Sequence, residues 1–129
     1  MDPLSHLLLL HNSKGSIDKN CVLSGDWQLP HRAGHLCVVR WHTVIGGSVM
    51  LDMPGSTKVE LSSGSVVFLP QNAAHRLYQQ STLPTQLVCG VLELPASAQA
   101  FLTALPEILM LAPAAESNEA RWQIGRAHV

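Results

Sequence analysis

Three cysteines are the residues of this sequence most able to react with small molecules. They are Cys21, Cys37 and Cys89. Because they are widely spaced and odd in number, they fit neither a secreted disulfide framework nor the CxxC spacing of a zinc site. In a reducing cytosol they begin as thiols, and the reactivity of each depends on how readily it ionises.

Cys21 has the most polar neighbours of the three thiols, since it follows Asp18, Lys19 and Asn20. These neighbours predict that Cys21 lies at the exposed start of a strand. A nearby cation lowers the pKa of a thiol, and the thiolate is the form that oxidants attack. Asp18 acts in the opposite direction. Cys37 lies in an apolar run and is most simply explained as a buried core residue.

Two histidines stand at motif positions. Residues 64–75 contain a glycine, five residues, a proline, one residue, a turn residue, two residues and then His75. In this segment Gly64 turns the chain, and Asn72 tolerates the left-handed conformation that a second turn needs. The spacing resembles the second sequence motif of cupins. Residues 40–51, which include His42, resemble the first cupin motif as it occurs in AraC-type sensor domains.

The resemblance to cupin enzymes implies a metal held by two histidines and a glutamate from the first motif and by one histidine from the second. Here only His42 and His75 match, since Thr43 and Val44 follow His42 and no acid occurs before Asp52. Two histidines are too few for a metal site. We therefore expect no metal, no cofactor and no enzymatic activity, and interpret His42 and His75 as hydrogen-bonded residues of a barrel pocket.

The elements that position these residues are short. Extended runs separated by Gly, Pro, Ser and Asp predict about eight strands, which indicates a sandwich or barrel. With the cupin motifs, this predicts an all-β, cupin-type double-stranded β-helix (jelly-roll) barrel with short flanking helices at residues 2–10 and 96–105. His31 and His35 flank a turn, and we expect both to be solvated. The predicted strands are 21–23, 27–29, 36–41, 48–53, 58–61, 66–69, 75–80 and 86–94.

The amino-acid composition limits the functions that this chain could have. A chain of 129 residues with 47% hydrophobic and 13% charged residues has room for one packed domain. Eight Lys and Arg against nine Asp and Glu give a net charge of −1, without the basic stripe that DNA binding needs. The longest apolar run near the start, residues 7–10, is too short to span a bilayer. We therefore expect a cytoplasmic protein with no membrane partner.

We expect residues 1–113 to form a cupin sensor domain and residues 114–123 to begin a linker. Residues 124–129 resemble the translation of a sequencing-library adapter, so we interpret them as an artefact. On this interpretation the native chain continues past Gln123, and its helix-turn-helix DNA-binding domain is absent here.

A more specific resemblance comes from segments that occur together in AraC-type regulators responsive to reactive chlorine species, namely residues 18–23, 26–31, 69–72, 74–77 and 88–90. This resemblance implies redox sensing by two cysteines, and Cys21 and Cys89 are at the matching positions. It also implies DNA contact only through the missing domain, and a possible homodimer. The alternative is a cupin domain that binds a small organic effector in the barrel. Replacing the cysteines would silence the redox sensor alone.

Overall fold

The computed structural model describes residues 14–25, 27–55, 58–79, 83–113 and 120–124. These residues form ten strands, a 3-10 turn and one short helix. The strands are β1 (Lys14–Leu23), β2 (Gln28–His31), β3 (Val38–Gly46), β4 (Ser48–Asp52), β5 (Lys58–Ser62), β6 (Val66–Leu69), β7 (His75–Gln79), β8 (Thr85–Glu93), β9 (Leu109–Pro113) and β10 (Ala120–Ile124).

The strands form two antiparallel sheets. The larger sheet has the order β1-β8-β3-β6-β9-β10, and the smaller has the order β2-β7-β4-β5. Strands that are neighbours in a sheet are often distant in sequence, as expected for a jelly roll. This confirms the all-β barrel that the alternation of short apolar runs and turn residues predicted.

The barrel interior is packed with aliphatic side chains. Along β4 and β5 every second residue is buried, because successive side chains of a strand point to opposite faces of the sheet. Among the described residues, these side chains fill the interior as a packed core. The fully buried aliphatic residues of this core are Val44, Val49, Leu51, Leu61, Val67, Leu69, Leu77 and Leu87.

A second, smaller core lies beside the barrel. After β8 the chain forms a 3-10 turn, Ala96–Ala98, and the helix α1, Gln99–Thr103. Leu102 of α1 packs with Val39 and Leu94. The helix predicted at residues 96–105 is thus present, whereas the one predicted at residues 2–10 lies outside the described residues. No helix in the described part of the chain is long and apolar enough to cross a membrane.

The ends of the larger sheet differ from the expectation. β1 begins at Lys14, seven residues before the predicted strand at 21–23, and β9, which follows α1, was not predicted as a strand. The backbone of β10 pairs with that of β9. The domain boundary at residue 113 and the artefact at residues 124–129 stay predictions.

Gly90 allows three strands to approach closely. It lies on β8 opposite Ile17 of β1 and Trp41 of β3. A Cβ atom at this position would collide with the carbonyl oxygen of Ser16 and with the ring of Trp41. Glycine is therefore required if β1 and Trp41 are to close over β8 at this point.

Candidate functional site

Cys21 and Cys89 lie on neighbouring strands of the larger sheet. The register of β1 and β8 places Cys21 opposite Leu87, and Lys19 opposite Cys89. Because residues two apart on a strand share a face, the two thiols are diagonal neighbours on the same face. Diagonal neighbours are typically about 7–8 Å apart, whereas the Cα atoms of a disulfide are roughly 4.4–6.8 Å apart. The structure thus brings the two predicted redox residues close together as free thiols.

The two thiols have different surroundings. Cys89 is 1% exposed, and burial raises the pKa of its thiol to about 12, with the negative charge of a Cys21 thiolate acting in the same direction. Lys19 and Arg40 lower the pKa of Cys89 but do not offset its burial. Cys21 is half-buried, and its sulfur lies 3.9 Å from the carbonyl oxygen of Leu87. Cys21 is therefore the more accessible of the two.

Cys37 is separate from this pair. It is buried in the second core, as the sequence predicted. It lies just before β3 rather than within a strand, with a φ of 71°, and its carbonyl oxygen accepts a 2.8 Å hydrogen bond from the N–H of Leu94. Leu94 is five residues from Cys89, which corresponds to roughly 17 Å along an extended chain.

Three histidines form a second cluster, which we call the imidazole cluster: His31, His42 and His75. His31 of β2 pairs with His75 of β7, and their rings stack with centroids 4.6 Å apart and planes 2° apart. His42 reaches them from β3 in the other sheet, with its ring centroid 5.0 Å from that of His75 and 4.9 Å from that of His31. The cluster therefore bridges the two sheets.

The predicted solvation of His31 is wrong. Pairing between β2 and β7 places His31 against His75, which is distant in the sequence. Leu29 packs against the barrel core, so His31, two residues later on β2, points to the same side. The two-residue spacing from Leu29 could have identified His31 as an inward-facing residue, but the predicted strand ended at residue 29. His35 is exposed, as expected.

Hydrogen bonds fix the tautomers of two of these rings. Nδ1 of His75 lies 2.9 Å from the carbonyl oxygen of Ala73, so Nδ1 carries the proton and donates it. Nε2 of His75 is then an acceptor, and Nε2 of His42, 2.8 Å away, donates to it. Among the described residues, the buried Nδ1 of His42 has no hydrogen-bond partner.

The imidazole cluster is uncharged at neutral pH. Burial lowers the pKa of His31 and of His75 to about 4, and it holds the pKa of His42 well below its usual value. The positive charges of Arg40 and Lys19 lower the pKa of His31 and His42 further. All three rings thus have a lone pair available at pH 7.

The thiol pair and the imidazole cluster adjoin. The register of β3 and β8 places His42 directly opposite Cys89, and directly opposite residues of an antiparallel pair share a face. Cys89 is therefore flanked by Lys19 of β1 on one side and by His42 of β3 on the other.

Comparison with known proteins identifies the family. The sequence model of the cupin family matches residues 2–126. The chain belongs to the cupin family. This confirms the resemblance carried by its two motifs.

The cupin chain is also similar to transcription regulators. It is 53% identical over 122 residues to the RCS-specific HTH-type transcriptional activator RclR of Escherichia coli (strain K12), which covers 95% of this chain. It spans 43% of the length of that relative.

Two solved structures resemble this cupin. The unsaturated fatty acid bound wild-type ToxT from Vibrio cholerae strain SCE256 matches with a TM-score of 0.51 and 14% identity, over 76% of this chain and 40% of ToxT. The Cupin_2 domain of an XRE family transcriptional regulator from Enterobacter cloacae matches with a TM-score of 0.50 and 12% identity, over 61% of this chain and 94% of that domain. At these identities the likeness shows the fold alone.

The second cupin motif positions His75. Gly64 has a φ of 90° and Asn72 a φ of 50°, so both turns occur where the spacing predicted them. The buried side chain of Asn72 donates a 3.1 Å hydrogen bond from Nδ2 to the carbonyl oxygen of His35. The turn at Asn72 is thereby fastened to the loop after β2, and β7 begins at His75 facing the interior.

A cleft in this cupin opens the imidazole cluster to the outside. Its volume is about 430 Å³, and Arg76 and Asp52 form an ion pair of 3.0 Å beside it. Since His31 and His75 line the cleft directly, a small solute can reach the cluster. The lining residues are Pro30, His31, Asp52, Pro54, Ala74, His75 and Arg76.

Proposed function

We propose that this chain is the oxidant-sensing domain of a transcription regulator, in which Cys21 and Cys89 are the redox pair. The observation that carries the proposal is the diagonal placement of these two thiols on β1 and β8. The identity with an activator named for RCS specificity supports it. The cupin fold serves here as a receptor and not as an enzyme.

Cys21 reacts first because it is the more accessible thiol. Its thiolate attacks the chlorine of hypochlorous acid, the O–Cl bond breaks, and hydroxide leaves. The product is a sulfenyl chloride on Cys21. Cys89 is a poor first nucleophile, because burial raises the pKa of its thiol to about 12 and leaves very little thiolate at neutral pH.

Cys89 acts as the resolving residue. Its sulfur attacks the sulfur of Cys21, the S–Cl bond breaks, chloride leaves, and the proton of Cys89 combines with the hydroxide released earlier. The two thiols together lose two electrons, and hypochlorous acid is reduced to chloride and water. Lys19, opposite Cys89 on β1, favours the loss of that proton.

Disulfide formation requires β1 to move. Diagonal neighbours about 7–8 Å apart are beyond the roughly 6.8 Å limit for Cα atoms of a disulfide. β1 already has an irregular register between Ile17 and Lys19, where one extra residue leaves the ladder locally weak. A shift of β1 along β8 alters the packing of the barrel surface, and this change is what an attached DNA-binding domain would detect.

The proposal is tested by graded hypochlorous acid treatment, followed by alkylation of the remaining thiols and mass spectrometry. The wild type and the matched control Cys37→Ser are expected to form the Cys21–Cys89 disulfide. In Cys89→Ser, Cys21 is expected to progress to sulfinic acid because no resolving thiol remains. Oxidation of Cys37 with Cys21 and Cys89 left reduced would contradict the proposal.

The alternative, an effector-binding cupin, is supported by the cleft of about 430 Å³ beside His31 and His75, a volume within the usual range for small-molecule pockets. Because the barrel interior is filled, an effector would bind in this cleft and not inside the barrel. The two functions separate cleanly: Cys21→Ser abolishes an oxidant response and leaves binding in the cleft unchanged.

A further inference from the structure

We infer that the imidazole cluster, His31, His42 and His75, is a binding site for a late first-row transition-metal ion such as Zn(II). The site does not depend on the redox proposal. The expectation that no metal binds rested on two matching histidines, and the structure places a third beside them. Their ligand atoms all lie within 4.8 Å of one another.

The donor set defines the class of ion. Three neutral imidazoles and no carboxylate suit zinc, copper, nickel or cobalt, whereas magnesium and calcium prefer oxygen ligands. Metals bind the deprotonated ring nitrogen, and burial keeps all three rings neutral.

The geometry is close to what a metal requires. Zn–N bonds of about 2.0–2.1 Å in a tetrahedral site place ligand nitrogens roughly 3.3 Å apart. The 2.8 Å separation between the Nε2 atoms of His42 and His75 must open by about half an ångström, and the longest separation, within 4.8 Å, must shorten by up to about 1.5 Å. His31 is the least buried of the three ligands, so its ring has the most freedom to rotate.

Proton positions are compatible with metal binding at His42 and His75. His75 already donates from Nδ1 to the carbonyl oxygen of Ala73, the hydrogen bond that usually orients a metal-binding histidine. His42 must release the proton of Nε2, and its Nδ1, which has no partner among the described residues, can take that proton. A change of tautomer therefore prepares His42 without any change in net charge.

The ligand set differs from that of the cupin enzymes. The first motif supplies one imidazole, His42, and the third comes from β2, which lies outside both motifs. With three protein ligands, a fourth position is left for water, as in open zinc sites. The ion reaches the cluster through the cleft that His31 and His75 line.

The test uses the full chain after chelator treatment, titrated with Zn(II) in a competition assay against a chromogenic chelator. We expect one Zn(II) per chain. His31→Ala and His75→Gln are each expected to weaken binding at least tenfold, because each removes one of three ligands. His35→Ala, which changes an exposed histidine outside the cluster, is the matched control and should bind like the wild type.

Cobalt(II) supplies a second readout, because its visible absorption reports tetrahedral nitrogen coordination. The spectrum is expected in the wild type and in His35→Ala, and it should be lost in His31→Ala. His42 is fully buried, so circular dichroism is used to check that each variant is folded. Binding that survives both His31→Ala and His75→Gln, or that is lost only in Cys89→Ser, would overturn the inference, because other groups would then hold the ion.

Discussion

The thiol pair and the imidazole cluster lie side by side but are assembled in different ways. Cys21 and Cys89 belong to adjacent strands of one sheet, and their register keeps them diagonal and apart. His31, His42 and His75 come from two sheets and already meet. The proposed disulfide therefore requires β1 to move, whereas the proposed metal binding requires only rotation of rings that already meet. The barrel thus holds two thiols that do not touch, beside three imidazole rings that already do.

The largest expected effect is a difference between the alkylation rates of the two thiols, which differ in accessibility. Under native conditions at pH 8, iodoacetamide should alkylate Cys21 at least about 100-fold faster than Cys89. With a pKa of about 12 for Cys89, only about one in ten thousand of its thiols is ionised at that pH, and the side chain is also buried. Mass spectrometry of timed samples measures both rates. In denaturant the two rates should be equal. Equal rates in the folded protein would contradict the distinction between an attacking and a resolving thiol.

The second prediction concerns the neutral state of the imidazole cluster in chelator-treated protein. The pKa values of His31 and His75 are about 4, below the ordinary 6.5, so the unfolded chain binds more protons between these values. Stability should therefore fall as pH decreases from about 6.5 towards 4, by roughly 2–3 kcal/mol per pH unit if about two protons are involved.

Urea unfolding at a series of pH values measures this dependence. His31→Gln should reduce the slope by about one proton, since Gln does not titrate in this range. His35→Gln, which alters an exposed histidine, is the control and should leave the slope unchanged. An unchanged slope in His31→Gln would mean that His31 is not held neutral by the fold.

The third prediction asks whether the two regions are energetically coupled. His42 and Cys89 are directly opposite in the register of β3 and β8, so Cys89→Ala and His42→Asn should show a coupling energy of about 0.5–1 kcal/mol in a double-mutant cycle. Cys37→Ala, in the separate second core, should be additive with His42→Asn. Additivity in both cycles would make the two regions independent.

The smallest effect is expected at the surface above both regions. Asp18 and Arg40 form an ion pair of 3.5 Å, with side chains 43% and 24% exposed. Because solvent screens such a pair, Asp18→Asn should change the free energy of unfolding by less than about 1 kcal/mol. Urea unfolding of this variant checks the value, and a larger loss would show that the ion pair helps to hold β1 in register.

The sequence predicted the interior strands well because their alternation is local. Lys58–Ser62, for example, alternates exposed and buried residues throughout, and this pattern is visible without knowledge of its neighbours. β1 is an edge strand whose residues 15–20 are all exposed, so it shows no alternation before Cys21. β9 was not predicted, because its pairing with β6 joins segments that are distant in the sequence.

The candidate sites show the same difference between features that are local in the sequence and features that depend on long-range pairing. Cys21, Cys89, His42 and His75 were found through motifs that keep their spacing along the chain. His31 was missed, because what brings it into the cluster is the pairing of β2 with β7, a contact between distant segments. A motif search finds residues that share a segment, and the remaining residues require the topology.

Gly90 makes the seam between β1 and β8 sensitive to a single methyl group. Its missing side chain is what lets the Ser16 carbonyl and the Trp41 ring approach β8, next to the buried thiol of Cys89. An alanine there would act as a wedge that forces β1 outward without any oxidant. Under the proposed function, a regulator that carries Gly90→Ala is therefore expected to be fixed in one signalling state, in which the presence or absence of oxidant no longer changes transcription.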